Sequence, residues 1–184
     1  MAFTRLLLIQ LLLCAACMKA PDPSGLSTGA TARPAVRPTL TLEVPADWQA
    51  IPPDLEFYLN KWLLPDGAVA TISWLGPDGS KEFIVQNVQR WLAEWTTATG
   101  EPVTEYAFAK EPNGGMAMHR LELTGTLQGV RQLGGGDPRA DWSLDGIVIE
   151  SPSGPLFFKL IGPKDAVAQR RDAVWHTLAS LVLH

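Results

Sequence analysis

The chain has 184 residues, 46% of them hydrophobic and 18% charged, with 15 basic against 19 acidic side chains for a net charge of −4. That length and apolar content suffice for one sizeable core, and the acidic balance excludes a nucleic-acid partner, because phosphate binding needs a basic face. The two cysteines, Cys14 and Cys17, both lie near the start, so the rest of the chain has no thiol for a disulfide, a redox pair or a zinc site.

In chain order, Arg5 is followed by an apolar stretch from Leu6 to Leu13, broken only by Gln10 and too short to span a bilayer; Ala15 and Ala16 then supply the small residues beside a cleavage point. Leu13-Cys14-Ala15-Ala16-Cys17 resembles a lipobox, with Cys14 where leucine is usual. Residues 1–16 therefore read as a lipoprotein signal peptide, and Cys17 as the lipidated first mature residue. Without polybasic support the acyl chains must anchor the protein alone, which about 0.8 kcal/mol per buried methylene makes ample. Met18 and Lys19 carry no acidic retention signal, so the expected address is the outer membrane, facing the periplasm.

Residues 17–39 are rich in Pro, Ala, Ser, Thr and Gly and nearly free of large apolar side chains, the composition of a disordered tether with an r.m.s. span of roughly 25 Å. The folded domain is expected over residues 40–184. Leu40, Leu42 and Val44 alternate as in a strand, and Glu56 to Leu64 and Ala68 to Leu75 form a hairpin around Pro65-Asp66-Gly67. Ser80 is positioned to cap a helix running to about Thr97, with Ile84, Val88, Trp91 and Trp95 on one face. Strands are expected at Val103 to Ala109, Met116 to Gly125, Trp142 to Ser151 and Leu156 to Ile161, then a helix from Pro163 that turns Val167, Val174, Trp175, Leu178 and Leu181 inward. Hairpins outnumber crossovers. The fold class is therefore α/β (α+β), a mainly antiparallel sheet of about six or seven strands with helices packed on it.

Several segments carry a resemblance: Val44-Pro45-Ala46-Asp47-Trp48, Gln86-Asn87-Val88-Gln89-Arg90-Trp91, Leu121-Glu122-Leu123-Thr124-Gly125, Phe157-Phe158-Lys159-Leu160-Ile161-Gly162-Pro163 and the last helix. In this order the chain resembles a group of bacterial secreted lipoproteins of PsbP-like (Mog-type) fold, an α/β/α sandwich. It departs from that group in the glycine-rich insertion from Leu127 to Asp141 and in Glu94. The resemblance implies accessory or adaptor roles without catalysis, and no functional residue carries over.

Asn87 and Arg90 lie three apart on one helical flank, where they can form a carboxylate or phosphate clamp or simply fix the helix by hydrogen bonding. His119, His176 and His184 lack the paired spacing of a metal site, and Asp137, Asp141 and Asp145 repeat at four residues, so they read as solvated loop acids. Gly134-Gly135-Gly136 lacks the context of a phosphate loop, and no serine sits in a nucleophile elbow. Trp91, Trp95 and Trp175 read as core; Trp48, Trp62, Trp74 and Trp142 are undetermined, and an exposed pair among them, Trp142 beside the glycine loop included, would mark a protein-binding patch. These readings point to an envelope-anchored, non-enzymatic accessory or protein-binding module without a cofactor, tied to the membrane through Cys17 and to an unidentified protein partner. The alternatives are a small apolar ligand carrier and, behind it, an undetected hydrolase.

Overall fold

The computed structural model describes residues 36–129 and 135–184, so the signal peptide, Cys17, most of the tether and Gly134 lie outside the described residues. The two ends of the described chain meet: β1 (Leu40–Thr41) pairs antiparallel with β10 (Val182–Leu183), and the His184 N–H donates to Thr39 O at 2.9 Å. The strand expected up to Val44 stops at Thr41 because its only partner is two residues long. A turn closed by Trp48 N–H on Pro45 O at 3.0 Å then drops Trp48 into the core, edge-on to Trp62 with centroids 5.8 Å apart.

β2 (Gln49–Ala50), β3 (Tyr58–Leu63) and β4 (Val69–Trp74) follow, the last two as the hairpin expected around Pro65-Asp66-Gly67. Gly67 takes φ +79°, a left-handed conformation that glycine adopts without a Cβ penalty. Ser80 caps α1 (Lys81–Leu92), its hydroxyl accepting from the Phe83 N–H at 3.2 Å. The helix ends five residues before the expected Thr97. Trp95 belongs instead to β5 (Trp95–Thr96), registered against Leu127, where the indole is buried.

β6 (Ala107–Asn113) lies several residues after the strand expected at Val103 to Ala109. Gly114 and Gly115, at φ +56° and +80°, close the tight turn into β7 (Met116–Leu127), and this turn sets the register from Asn113↔Met116 to Ala107↔Glu122. Pro112 is tolerated because β6 is an edge strand. β8 (Arg139–Ile149) and β9 (Leu156–Pro163) complete an eight-stranded antiparallel sheet in the order β2-β3-β4-β9-β8-β7-β5, with β6 also on β7. The strands beside the glycine loop are longer than expected. Between Gly125↔Trp142 and Leu127↔Arg139 the register shifts, and Asp141 takes φ +57° in the resulting bulge.

The expected single C-terminal helix is two, α2 (Lys164–Gln169) and α3 (Arg171–Ala179), broken at Arg170 with φ −99° and ψ 2°. Pro163 stands just before the first helical residue. Arg170 stands at the break: its guanidinium reaches Asp66 in the β3–β4 turn and lies 3.6 Å from Asp47, so the bend is tied to the turn that neighbours the end of β9.

Successive residues of β9 explain the layering. Leu156, Phe158 and Leu160 join Ile147, Ile149, Val174 and Leu178 in one core, under α2 and α3; Phe157 and Ile161 join Leu121, Leu144, Val148 and Trp91 in the other, under α1. A central strand with both faces covered reads as an unbroken apolar run, so the two charges inside these strands, Lys159 and Asp145, need an explanation.

Candidate functional site

Lys159 projects to the α1 side of the sheet with its side chain 6% exposed. It is met there by Glu94, just past the end of α1, at 2.8 Å from Nζ to Oε2, and by the face of Trp91, 5.5 Å from Nζ to the ring centroid. Glu94 is held in turn: its N–H donates to Trp91 O at 3.1 Å, and its carbonyl accepts from the Gln128 N–H at 2.8 Å. Glu94 is thus the counter-ion of a buried ammonium. Burial lowers the Lys159 pKa, the charge and hydrogen bond of Glu94 oppose that shift, and the positive charge of Arg90 reinforces it.

Asn87 and Arg90 do come together. Arg90 donates to Asn87 Oδ1 at 2.6 Å, and Asn87, itself buried, donates through Nδ2 to Phe83 O at 2.8 Å. The amide anchors the arginine to the helix's own backbone and leaves the guanidinium exposed beside Glu94 and Lys159. These groups edge an open cleft of about 520 Å³, walled by Leu55, Phe57, Leu75 and Trp91 with Tyr58 and Ser73 on the sheet side. Ser73 Oγ donates to Phe157 O at 3.3 Å, so its hydroxyl proton is directed at a backbone carbonyl.

A titration tests this arrangement. Lys159 should lose its proton below the usual lysine range, and Glu94→Gln should lower that pKa further by removing the opposing charge. Site-specific carbon NMR of labelled lysine side chains reads both; an unchanged or higher value in Glu94→Gln would remove Glu94 as the counter-ion.

The other face of the sheet carries a second polar site. Arg120 of β7 grips Asp145 of β8 with two parallel hydrogen bonds, Nε to Oδ1 at 2.8 Å and Nη2 to Oδ2 at 2.6 Å, while Trp175 of α3 lies over the guanidinium at 5.4 Å. Glu122 extends the chain of charges, 3.1 Å from Arg120 and 2.8 Å from Arg171. Asp145 is 2% exposed, which corrects its assignment as a solvated loop acid: the spacing from Asp141 is a coincidence of sequence across a strand that turns Asp145 under α3. Burial raises the Asp145 pKa, and the hydrogen bonds and charge of Arg120 pull it back only in part. Beside this pair opens a larger cleft of about 670 Å³, with Tyr106 exposed at its rim.

The other sequence candidates fall as follows. Trp142 is half-buried beneath the Arg139 guanidinium, 4.6 Å from its ring centroid. Trp48 and Trp62 are core, Trp74 donates to Ser153 O at 2.8 Å, and none of the seven tryptophans is exposed, so no tryptophan pair forms a surface patch. His119 lies 2.6 Å from Glu150, whose pKa is lowered chiefly by that hydrogen bond. Among the described residues no group of three or more His, Cys, Asp or Glu could hold a metal ion. Cys17 lies outside the described residues. Sequence reading passed over Lys159 and Arg120 as site residues and misassigned Asp145; Lys159 alone stands in an unbroken apolar run, and such a buried charge must find a partner.

No family model matches the chain, and no curated protein sequence matches it. Among solved structures it is similar to LpqN of Mycobacterium tuberculosis, involved in cell envelope biogenesis, at 18% identity over 83% of this chain and 87% of that one, with a TM-score of 0.47. It is also similar to the cyanobacterial PsbP of Synechocystis, at 13% identity over 86% and 99% of the two chains, TM-score 0.48. A Pseudomonas aeruginosa protein of unknown function aligns at 14% identity over 78% and 96%, TM-score 0.43. A PsbP structure thus stands among those similar to the chain, which is the fold its sequence motifs resemble.

Proposed function

We propose that this protein is a non-enzymatic lipoprotein of the bacterial cell envelope, anchored through Cys17 at the outer membrane, whose folded domain is a binding module centred on the α1-side cleft. The observation that carries this reading is a buried ammonium, Lys159, presented with Glu94 and Arg90 in an open cleft with apolar walls. Concave, largely apolar sites with a few convergent polar groups are where proteins hold small molecules. The engagement of Ser73 Oγ by a backbone carbonyl and of Lys159 by Glu94 supports binding over nucleophilic chemistry.

Native mass spectrometry of the full chain, released gently from membranes, tests the reading. A small molecule retained by the wild type and lost from Lys159→Gln supports it; a bare chain in both overturns it. A protein partner is the second reading, favoured by Tyr106, 46% exposed at the rim of the larger cleft on the opposite face. Its test is co-purification from solubilised membranes with and without Tyr106→Ala.

Anchoring has its own test. Cys17 is the thiol that follows the small residues of the signal, so Cys17→Ser should abolish incorporation of a labelled fatty acid and either release the domain or leave its signal uncut. Unchanged labelling would sink the lipoprotein reading. Among the described residues no helix is long and apolar enough to cross a membrane.

A further inference from the structure

The charges at the α1-side cleft do not cancel. Arg90 and Lys159 bring two positive charges against the single carboxylate of Glu94. The next ion pair along the same side of the sheet, Lys61 with Asp54 at 3.0 Å, is neutral by itself and compensates nothing. Hydrogen-bonding capacity is left over in the same sense. An ammonium has three donors, and among the described residues Glu94 is the one acceptor for Lys159 Nζ. A guanidinium has five, and Arg90 spends one on Asn87 Oδ1, a bond that holds its planar fork at the cleft mouth. The apolar walls, Leu55, Phe57 and Leu75, offer no charge and no side-chain hydrogen bond, and on the sheet side, where Tyr58 also lies, the Ser73 hydroxyl donates to Phe157 O.

We infer that the cleft binds an oxyanion carrying an apolar body, such as a medium-chain carboxylate, with its head between Lys159 and Arg90 and its body along Leu55, Phe57 and Leu75. This rests on the reading of the cleft as a binding site. A cation would face the surplus positive charge. A neutral apolar molecule would cover the ammonium and leave its spare donors unsatisfied, a cost that buried polar groups do not tolerate cheaply. A bare oxyanion such as phosphate would satisfy the head and leave the apolar walls wet. The cleft, at about 520 Å³, lies within the range of small-molecule sites.

Calorimetric titration of the full chain with octanoate, octanol, octyltrimethylammonium and inorganic phosphate tests the inference. Octanoate should bind saturably at one site per chain and the other three at least about tenfold more weakly, the scale of one hydrogen bond to a charged group. Arg90→Gln, which alters an exposed side chain and should leave the fold intact, should weaken octanoate by about tenfold, and Lys159→Gln by at least as much. Circular dichroism checks that each variant is folded. Equal binding of octanoate and octanol would overturn the anion while leaving the cleft as an apolar binding site. Absence of binding by all four probes to the folded wild type would count against both. Octanoate binding undiminished in folded Arg90→Gln would overturn the placement of the head. Binding of the Cys17→Ser chain to phosphatidylglycerol vesicles, weakened by Arg90→Gln, without binding of octanoate would overturn the free ligand in favour of a membrane head group.

Discussion

Trp91→Ala should lower the unfolding free energy by about 3 to 5 kcal/mol, the cost of truncating a buried large aromatic and leaving a cavity behind. The side chain is 3% exposed, stands edge-on to Phe157 at 5.9 Å and 84°, and holds α1 on the sheet. Its ring fits because position 146 has no side chain: a Cβ there would lie 2.6 Å from the ring's Cζ3 and 2.9 Å from its Cε3. Neither the rigid ring nor the strand can yield, so Gly146→Ala should itself cost about 1 to 3 kcal/mol by overpacking. Val88→Ala, at a half-buried position one turn earlier, should cost much less than Trp91→Ala. Urea denaturation measures all three. A loss below about 1 kcal/mol for Trp91→Ala would mean that α1 does not lean on the sheet through this residue.

Trp91 was legible because its neighbours repeat at helical spacing, and Ser80 was legible because a capping hydroxyl acts on a backbone N–H three residues away. Gly67 and the β3–β4 hairpin were readable for the same reason: the interactions that specify them lie within a few residues. Trp95 shows the limit. Its spacing from Trp91 continues the helical face, yet its environment is made by Leu127, which no local pattern brings near. The misplaced edge strand β6 has another cause. Asn113-Gly114-Gly115 is a strong hairpin signal that the sequence reading passed over, and Pro112 just before it fits a strand only because β6 lies at the sheet edge. The charged sites were hardest to read. Lys159 and Glu94 are 65 residues apart, and Arg120 and Asp145 are 25 apart, so only the registers of β7, β8 and β9 bring each pair within reach. What the sequence did carry was the anomaly of a charge in an apolar run, which points to a partner without naming it.

Arg120 and Asp145 give the second large expected effect, and its sign depends on whether one partner or both are removed. Asp145→Leu should destabilise the domain by about 3 to 5 kcal/mol, because it leaves a guanidinium buried without its bidentate acceptor; Arg120→Met should cost a similar amount by stranding the carboxylate. The pair itself is a weak stabiliser. Burial raises the Asp145 pKa despite two short hydrogen bonds from Arg120, whereas the bonds and charge of Asp145 raise that of Arg120 despite its own burial, so desolvation and attraction largely offset each other. The double variant R120M/D145L, which fills the same space with apolar atoms under Trp175, should therefore recover most of either single loss and reach wild-type stability or exceed it. The expected contribution of the pair is instead to register. Glu122 faces Asp145 and Arg120 faces Ile147 across β7 and β8, and a slip of one residue would turn Arg120 toward the α1 core and Leu121 under α3. The double-mutant cycle, measured by chemical denaturation, separates these roles: near-full recovery with an unchanged amide spectrum would show that packing and the remaining strand pairs hold the register alone. Recovery of stability with loss of β7–β8 cross-strand contacts in NMR would show the ion pair choosing the register that the apolar pattern permits. Losses that simply add, with no recovery, would overturn the view that desolvation offsets the attraction within this pair.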